Sequence, residues 1–262
     1  MMKRSLFALL LTLVSVTAGA ETLTETFDRT FDVRPGALFS LNNINGHITV
    51  TSWDQPRIRV HALKRSESRD HDAAKQGLAS LRIETAALNG GLKINTVYPK
   101  TNDGILEWIA GTSVNLAVSY EVTVPRSMNL SLEDTNGALD INGVHGEHHL
   151  ETTNGHLELV RCGGSLDAET TNGAIRAELL DVTPGKAVRA ETTNGRITLS
   201  VPSNFAAKLD AGTTNGSITT DLPVTTTETG HHTLRGMVNG GGPEVRLRTT
   251  NGSIEIKATT AR

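Results

Sequence analysis

The sequence predicts an all-β protein, a β-solenoid of stacked coils with one short N-terminal helix. Three observations carry this expectation. An Asn-Gly dipeptide recurs in a fixed neighbourhood, as LEDTNGALDI, LETTNGHLEL, AETTNGAIRA, AETTNGRITL, AGTTNGSITT and LRTTNGSIEI, with a degenerate copy, LNNINGHITV, nearer the N-terminus. Apolar residues alternate on both sides of each copy, the period of a strand with one buried face. Aromatic residues make up only 3% of the chain. Sandwiches and barrels fill a wide core with aromatics, so this core is expected to be thin and built from Leu, Ile, Val and Ala.

The repeated asparagines are Asn45, Asn136, Asn154, Asn172, Asn194, Asn215 and Asn251, and from Asn136 onward the steps are 18, 18, 22, 21 and 36 residues. The last step is twice 18, which points to a coil without the motif or to an insertion. Three residues after Asn stand Ile48, Leu139, Leu157, Ile175, Ile197, Ile218 and Ile254, all apolar. Four before it stand Leu132, Leu150, Ala168, Ala190, Ala211 and Leu247. Six before it stand Leu130, Leu166, Val188, Leu209 and Val245, with His148 breaking the column. Two strands of about five residues and two turns fill such a unit. One unit cannot bury its own apolar face, and stacking equivalent units does so.

Asn-Gly between alternating strands also marks a hairpin, which would give an antiparallel meander. A hairpin requires only its two central residues, whereas here the preceding Thr-Thr and the following apolar residue repeat too. In a parallel stack, equivalent positions lie about 4.8 Å apart and identical residues meet as ladders. Column identity therefore favours the solenoid. The turn residues, Asn136-Gly137, Asn154-Gly155, Asn172-Gly173, Asn194-Gly195, Asn215-Gly216 and Asn251-Gly252, are assigned to its corners, with Gly expected to supply a positive φ. An outer-membrane barrel would need aromatic girdles and longer strands.

The N-terminus, MMKRSLFALLLTLVSVTAGAETLTE, has a basic start at Lys3 and Arg4, an apolar stretch from Leu6 to Val16 and small residues at Ala18-Gly19-Ala20. This pattern is a secretory signal cut after Ala20. No cysteine follows the stretch for lipoprotein processing, and no later run is long enough for a transmembrane helix. Residues 21–262 are read as one solenoid domain. Without the leader, 23 basic residues stand against 28 acidic ones, a balance that argues against nucleic acid. Cys162 is the only cysteine, which excludes an internal disulfide; in Arg161-Cys162-Gly163-Gly164 it reads as a structural residue of a turn.

Before the repeats, strands are expected at 57–63, 81–85, 92–97 and 114–124, the last ending at Pro125. The charged, Ala-containing run from Ser66 to Ser80 is the expected helix, with Ser66 or Ser68 as N-cap. Residues 100–112 read as a loop, and residues 223–243, rich in Thr and Gly, as a loop or an irregular rung.

Three runs together, VSYEVTVPRSMNLSLEDTNGALDI, the repeated ETTNG and the closing GMVNGGGPEVRLRTTNGSIEI, resemble the bacterial putative-adhesin domain family of unknown function. The resemblance covers most of residues 35–258. It implies a right-handed, single-stranded β-helix-like fold and brings no catalytic residue with it. The adhesin label is an analogy at the level of fold.

Candidate sites come from the columns. Glu133, Glu151, Glu169 and Glu191 stand three residues before Asn, followed in sequence by Gly212 and Arg248. Stacked, four carboxylates would form a file of like charges, a candidate strip for Ca2+ or a basic partner. A solvated face is the simpler reading, and calcium wants six to eight oxygens. His145, His148, His149 and His156 cluster in VHGEHHLETTNGH, but adjacent strand residues face opposite ways, so a zinc site there is not expected. Asp140, Glu158 and Arg176 share a column four residues after Asn, the kind of arrangement in which a carbohydrate-active β-helix sets paired carboxylates, although a repeat produces such columns anyway. No catalytic residue and no cofactor is assigned. The expected function is an exported, non-enzymatic solenoid presenting a repetitive surface to an envelope protein or glycan, periplasmic or on the cell surface. The alternative is a carbohydrate-binding or carbohydrate-active β-helix.

Overall fold

The computed structural model describes residues 20–99 and 114–259. The expected leader at 1–20, save Ala20, and the expected loop at 100–112 lie outside the described residues. The N-terminal part comprises β1 (Glu21–Asp32), β2 (Leu38–Asn42), β3 (Ile48–Trp53), β4 (Arg57–Ser68), α1 (His71–Ser80), β5 (Arg82–Leu88), β6 (Gly91–Val97) and β7 (Asn115–Pro125). The central part comprises β8 (Asn129–Asp134), β9 (Leu139–Asn142), β10 (His145–Asn154), β11 (Leu157–Asn172), β12 (Ile175–Val182), β13 (Val188–Asn194) and β14 (Ile197–Pro202). The C-terminal part comprises β15 (Ala207–Asn215), β16 (Ile218–Thr220), β17 (Val224–Thr229), β18 (Thr233–Val238), β19 (Glu244–Asn251) and β20 (Ile254–Thr259).

These elements form a curled, nearly all-β, solenoid-like sheet with one short helix among the described residues. Each Asn-Gly corner joins a strand of one ladder to a strand of a second. The ladder upstream of the corners runs β6–β2–β8–β10–β11–β13–β19–β15, every neighbour parallel. The ladder downstream runs β7–β3–β9–β11–β12–β14–β20–β16, again parallel throughout. A hairpin meander is thereby excluded for the repeats. Register follows the columns, Asn154 beside Asn172 and Asn172 beside Asn194.

The order of coils in space departs from their order in the chain at both ends. The first Asn-Gly coil, β2–β3, lies between β6–β7 and β8–β9. The last coil, β19–β20, inserts between β13–β14 and β15–β16. The 36-residue step is thus an insertion. After β16 the chain forms the antiparallel hairpin β17–β18, with β18 on the free edge of β15, and only then returns to fill the gap. Residues 223–243, expected as a loop or an irregular rung, are largely this hairpin. At the other end β4 lies antiparallel on β7, β1 on β4, and β5 on β6. Antiparallel strands therefore cover β15 at one end and β6 and β7 at the other, where further parallel coils would otherwise add.

The apolar columns of both ladders meet in one core of Leu, Ile, Val and Ala, with Phe39 and Tyr120 as its large aromatic residues. His148 occupies its core column and is 2% exposed. The helix starts later than expected. Ser66 and Ser68 are inward positions of β4, paired with Leu23 and Glu21 of β1, and strand pairing overrides their capping preference. Asp70 is the N-cap, its Oδ1 accepting from Ala73 N at 3.0 Å. Cys162 lies not in a turn but inside β11, beside a register shift at which Arg161 has φ 51°. It is fully buried, and burial raises its thiol pKa, so it packs as a small apolar residue.

Candidate functional site

The corner is built from three stacked residues. Asn136 Nδ2 donates to Asn45 Oδ1 at 2.8 Å, and the pattern continues without a gap through Asn154, Asn172, Asn194, Asn251 and Asn215 at 2.8–2.9 Å. Every amide points the same way, and Asn45 Nδ2 ends the line on Leu116 O at 3.1 Å. Two residues before Asn, the buried Thr152, Thr170, Thr192, Thr249 and Thr213 each donate to a glycine carbonyl of the adjoining coil at 2.8–3.0 Å. The motif glycines serve a different purpose from the one expected. Of the corner glycines only Gly46 has a positive φ. At Gly137, Gly155, Gly173, Gly195, Gly216 and Gly252 a Cβ would stand 1.9 Å from the carbonyl oxygen of a stacked glycine. Close approach of backbone to backbone, not handedness, selects glycine there.

Asp134 stands where the later coils carry this buried Thr and the first coil carries Asn43, and it is 6% exposed. Desolvation pushes its carboxyl up, against the hydrogen bonds from Thr135 N and Asn43 Nδ2.

Above the corner, parallel register sets Glu133, Glu151, Glu169 and Glu191 in file. The insertion of the last coil changes how the file ends, because Arg248 is the neighbour of Glu191 and Gly212 lies beyond it. Arg248 does not neutralise the file. Its guanidinium is bound to Asp210, which also holds Arg235 Nε at 2.9 Å. Burial pushes the Asp210 carboxyl up, but the hydrogen bonds from Arg235 and Arg248 outweigh it and hold Asp210 below the usual carboxylate range. Arg246 approaches Glu191 only to 3.8 Å, and among the described residues Glu133, Glu151 and Glu169 have no ion pair. Beside the file, the exposed Thr135, Thr153, Thr171, Thr193, Thr250 and Thr214 form a further polar column. Where the file meets Arg248, His232 and Arg235 the surface dips into an open polar groove of about 440 Å3.

His148 is buried with Nε2 3.2 Å from Gly163 O, and burial lowers its pKa to about 4. The other three histidines separate, His145 to Asp181 at 2.9 Å, His149 to Asp167 at 3.5 Å and His156 to Asp140 at 3.3 Å. Asp140, Glu158 and Arg176 do stack as one outward file, with Arg176 Nη1 3.2 Å from Glu158 Oε1. His47, two residues after Asn45, also reaches this file, its Nε2 2.9 Å from Asp140 Oδ2. Its signal in the sequence is the column two residues after Asn, which reads His47, Ala138, His156 in the first three coils.

No curated protein matches this chain. A crystal structure of a putative cell adhesion protein from Clostridium sporogenes is 13% identical, covers 89% of this chain and 100% of its own, and superposes with a TM-score of 0.48. One of a putative adhesin from Bacteroides fragilis is 12% identical, covers 89% and 97%, and reaches 0.41. Residues 41–257 match the family described as Toastrack DUF4097. That span takes in every Asn-Gly corner and most of both ladders, and the chain belongs to the Toastrack DUF4097 family.

Proposed function

We propose that this chain is an exported, non-enzymatic solenoid that holds a partner at the bacterial cell envelope, periplasmic or on the cell surface, through its repetitive corner face. The observation that carries the proposal is the uncompensated file of Glu133, Glu151 and Glu169 beside the exposed threonines and the Asn ladder. A rigid row of acceptors at the coil repeat suits a partner that offers basic or donor groups at a matching spacing, and it costs little ordering entropy on binding. The partner is an envelope protein or glycan. The glutamates recur at equivalent coil positions, whereas acid–base catalysis sets two carboxylates in unlike surroundings across a cleft; this supports binding over turnover. The right-handed sense of the coils rests on the strong preference of parallel strand crossovers. Among the described residues no helix is long and apolar enough to cross a membrane.

The test is sedimentation of purified protein with washed envelope fractions, comparing wild type with the triple variant Glu133→Gln, Glu151→Gln, Glu169→Gln. The expected result is salt-sensitive binding that the variant loses at least about tenfold, and protease pretreatment of the envelope separates a protein partner from a glycan. Equal binding by both proteins, or depolymerisation of an envelope glycan, overturns the proposal.

A further inference from the structure

Across the corner from the glutamate file, two histidines and two carboxylates from three successive coils converge. His156 and Glu158 lie two residues apart at the start of β11 and its approach, so both project outward on one side. Asp140 of β9 is the register partner of Glu158. One donor atom from each of Asp140, His156 and Glu158 falls within 4.8 Å of the other two. His47 comes from the coil on the other side of Asp140, with Ala138 standing between the two histidines in their own column. The small Ala138 side chain lets both rings lean over the middle coil, His156 Nε2 to Asp140 Oδ1 at 3.3 Å and His47 Nε2 to Asp140 Oδ2 at 2.9 Å. Despite that proximity Asp140 Oδ1, withdrawn from solvent, accepts no hydrogen bond among the described residues. A shielded carboxylate oxygen that accepts no hydrogen bond, facing an imidazole nitrogen, is arranged as two lone-pair donors are around a cation.

We propose that His156 Nε2, Asp140 Oδ1 and a Glu158 carboxylate oxygen bind one divalent transition-metal ion of the Zn2+ class, with His47 positioning Asp140 through its other oxygen. Ligands at about 2.0–2.2 Å from a tetrahedral ion lie about 3.4 Å from one another. Closing from the present spread takes side-chain rotation on an outward face, with no movement of the ladder. Arg176 holds Glu158 Oε1 at 3.2 Å and leaves Oε2 to the ion. The two carboxylates balance the ion's charge, and the fourth position is open to water. A nitrogen donor and so few ligands select against Ca2+, which takes six to eight oxygens, while imidazole suits zinc and its neighbours. The site shares no residue with the glutamate file, so its failure leaves the envelope proposal intact and the reverse also holds.

The experiment is calorimetric titration of tag-free protein with ZnCl2, with far-UV circular dichroism confirming that each variant is folded. Wild type is expected to take up one ion per chain with a Kd of about 10 μM or tighter. His156→Ala is expected to weaken binding at least about tenfold, and His47→Ala several-fold, the range seen when an outer-shell partner is lost. His149→Ala, whose ring pairs with Asp167, is expected to bind as wild type does, and CaCl2 to give no heat. Absence of Zn2+ binding, or binding by folded His156→Ala equal to that of His149→Ala, overturns the proposal.

Discussion

Replacing Gly173 by alanine tests whether the coils are held by backbone contact at the corner. The new Cβ would lie 1.9 Å from Gly155 O and 2.5 Å from Gly155 C. Carbon–oxygen contacts settle near 3.3 Å, so the two coils must part by about 1.4 Å at that point. Four hydrogen bonds cross the same gap, Gly155 N to Asn172 O, Leu157 N to Ala174 O, Thr170 Oγ1 to Gly155 O and Asn172 Nδ2 to Asn154 Oδ1, all at 2.9–3.1 Å. Stretching by that amount breaks the bonds nearest the corner, at about 1 kcal/mol each. Residual overpacking adds about 1–3 kcal/mol, and the stiffer unfolded chain returns about 0.5 kcal/mol. The expected loss is about 3–5 kcal/mol, or roughly 10 °C in Tm for a chain of this size. Gly185→Ala is the control. Gly185 has φ +77° but no atom within 4 Å of its would-be Cβ, so it costs only the left-handed penalty, about 1 kcal/mol. Urea unfolding followed by circular dichroism measures both. If Gly173→Ala costs no more than Gly185→Ala, the steric account of the motif glycine is wrong.

Three further outcomes follow from the fold. Ending the chain at Pro243 removes β19–β20 from between two other coils, so limited proteolysis should release everything from about residue 203 onward, where loss of a true end coil would be graded. The His148 imidazole is neutral in the fold, its pKa lowered to about 4 by burial, and protonates near 6.5 when unfolded. The unfolded state therefore binds more protons in that window, and stability should fall as pH drops from 6.5 to 4, by on the order of 3 kcal/mol. His148→Leu should flatten this limb in urea unfolding at stepped pH. Asp134 has the opposite sign. Its carboxyl is raised, so its contribution is favourable below the unfolded value and lost as pH climbs through the folded one. Asp134→Thr, matching the later coils, should gain about 1 kcal/mol at pH 7, with the gain shrinking below pH 4 in the same measurement.

The corner chemistry was legible in the chain because in-register parallel stacking converts a sequence column into a file in space. Thr170 and Thr192, or Asn172 and Asn194, must meet once their coils are neighbours. The inward columns, Leu132 and Leu150 among them, were legible for the same reason, since period-two alternation fixes a face. Local strands against local helix was harder. Ser66 and Ser68 cap helices well in isolation, and only the pairing of β4 with β1 takes them into the sheet.

Periodicity states which face a residue occupies and leaves open which coil lies next to it. The sequence by itself determined the parallel stack, the thin aliphatic core and the ladders at the corner. Tertiary structure alone decided that β19–β20 slips between earlier coils, which places Arg248 beside Glu191. It decided likewise that the first coil lies against β9, which brings His47 to Asp140. The physical reason is that every coil presents nearly the same edge. Neighbours are then chosen by how the whole array closes, with β17–β18 at one end and β1, β4 and β5 at the other covering edges that would otherwise keep pairing.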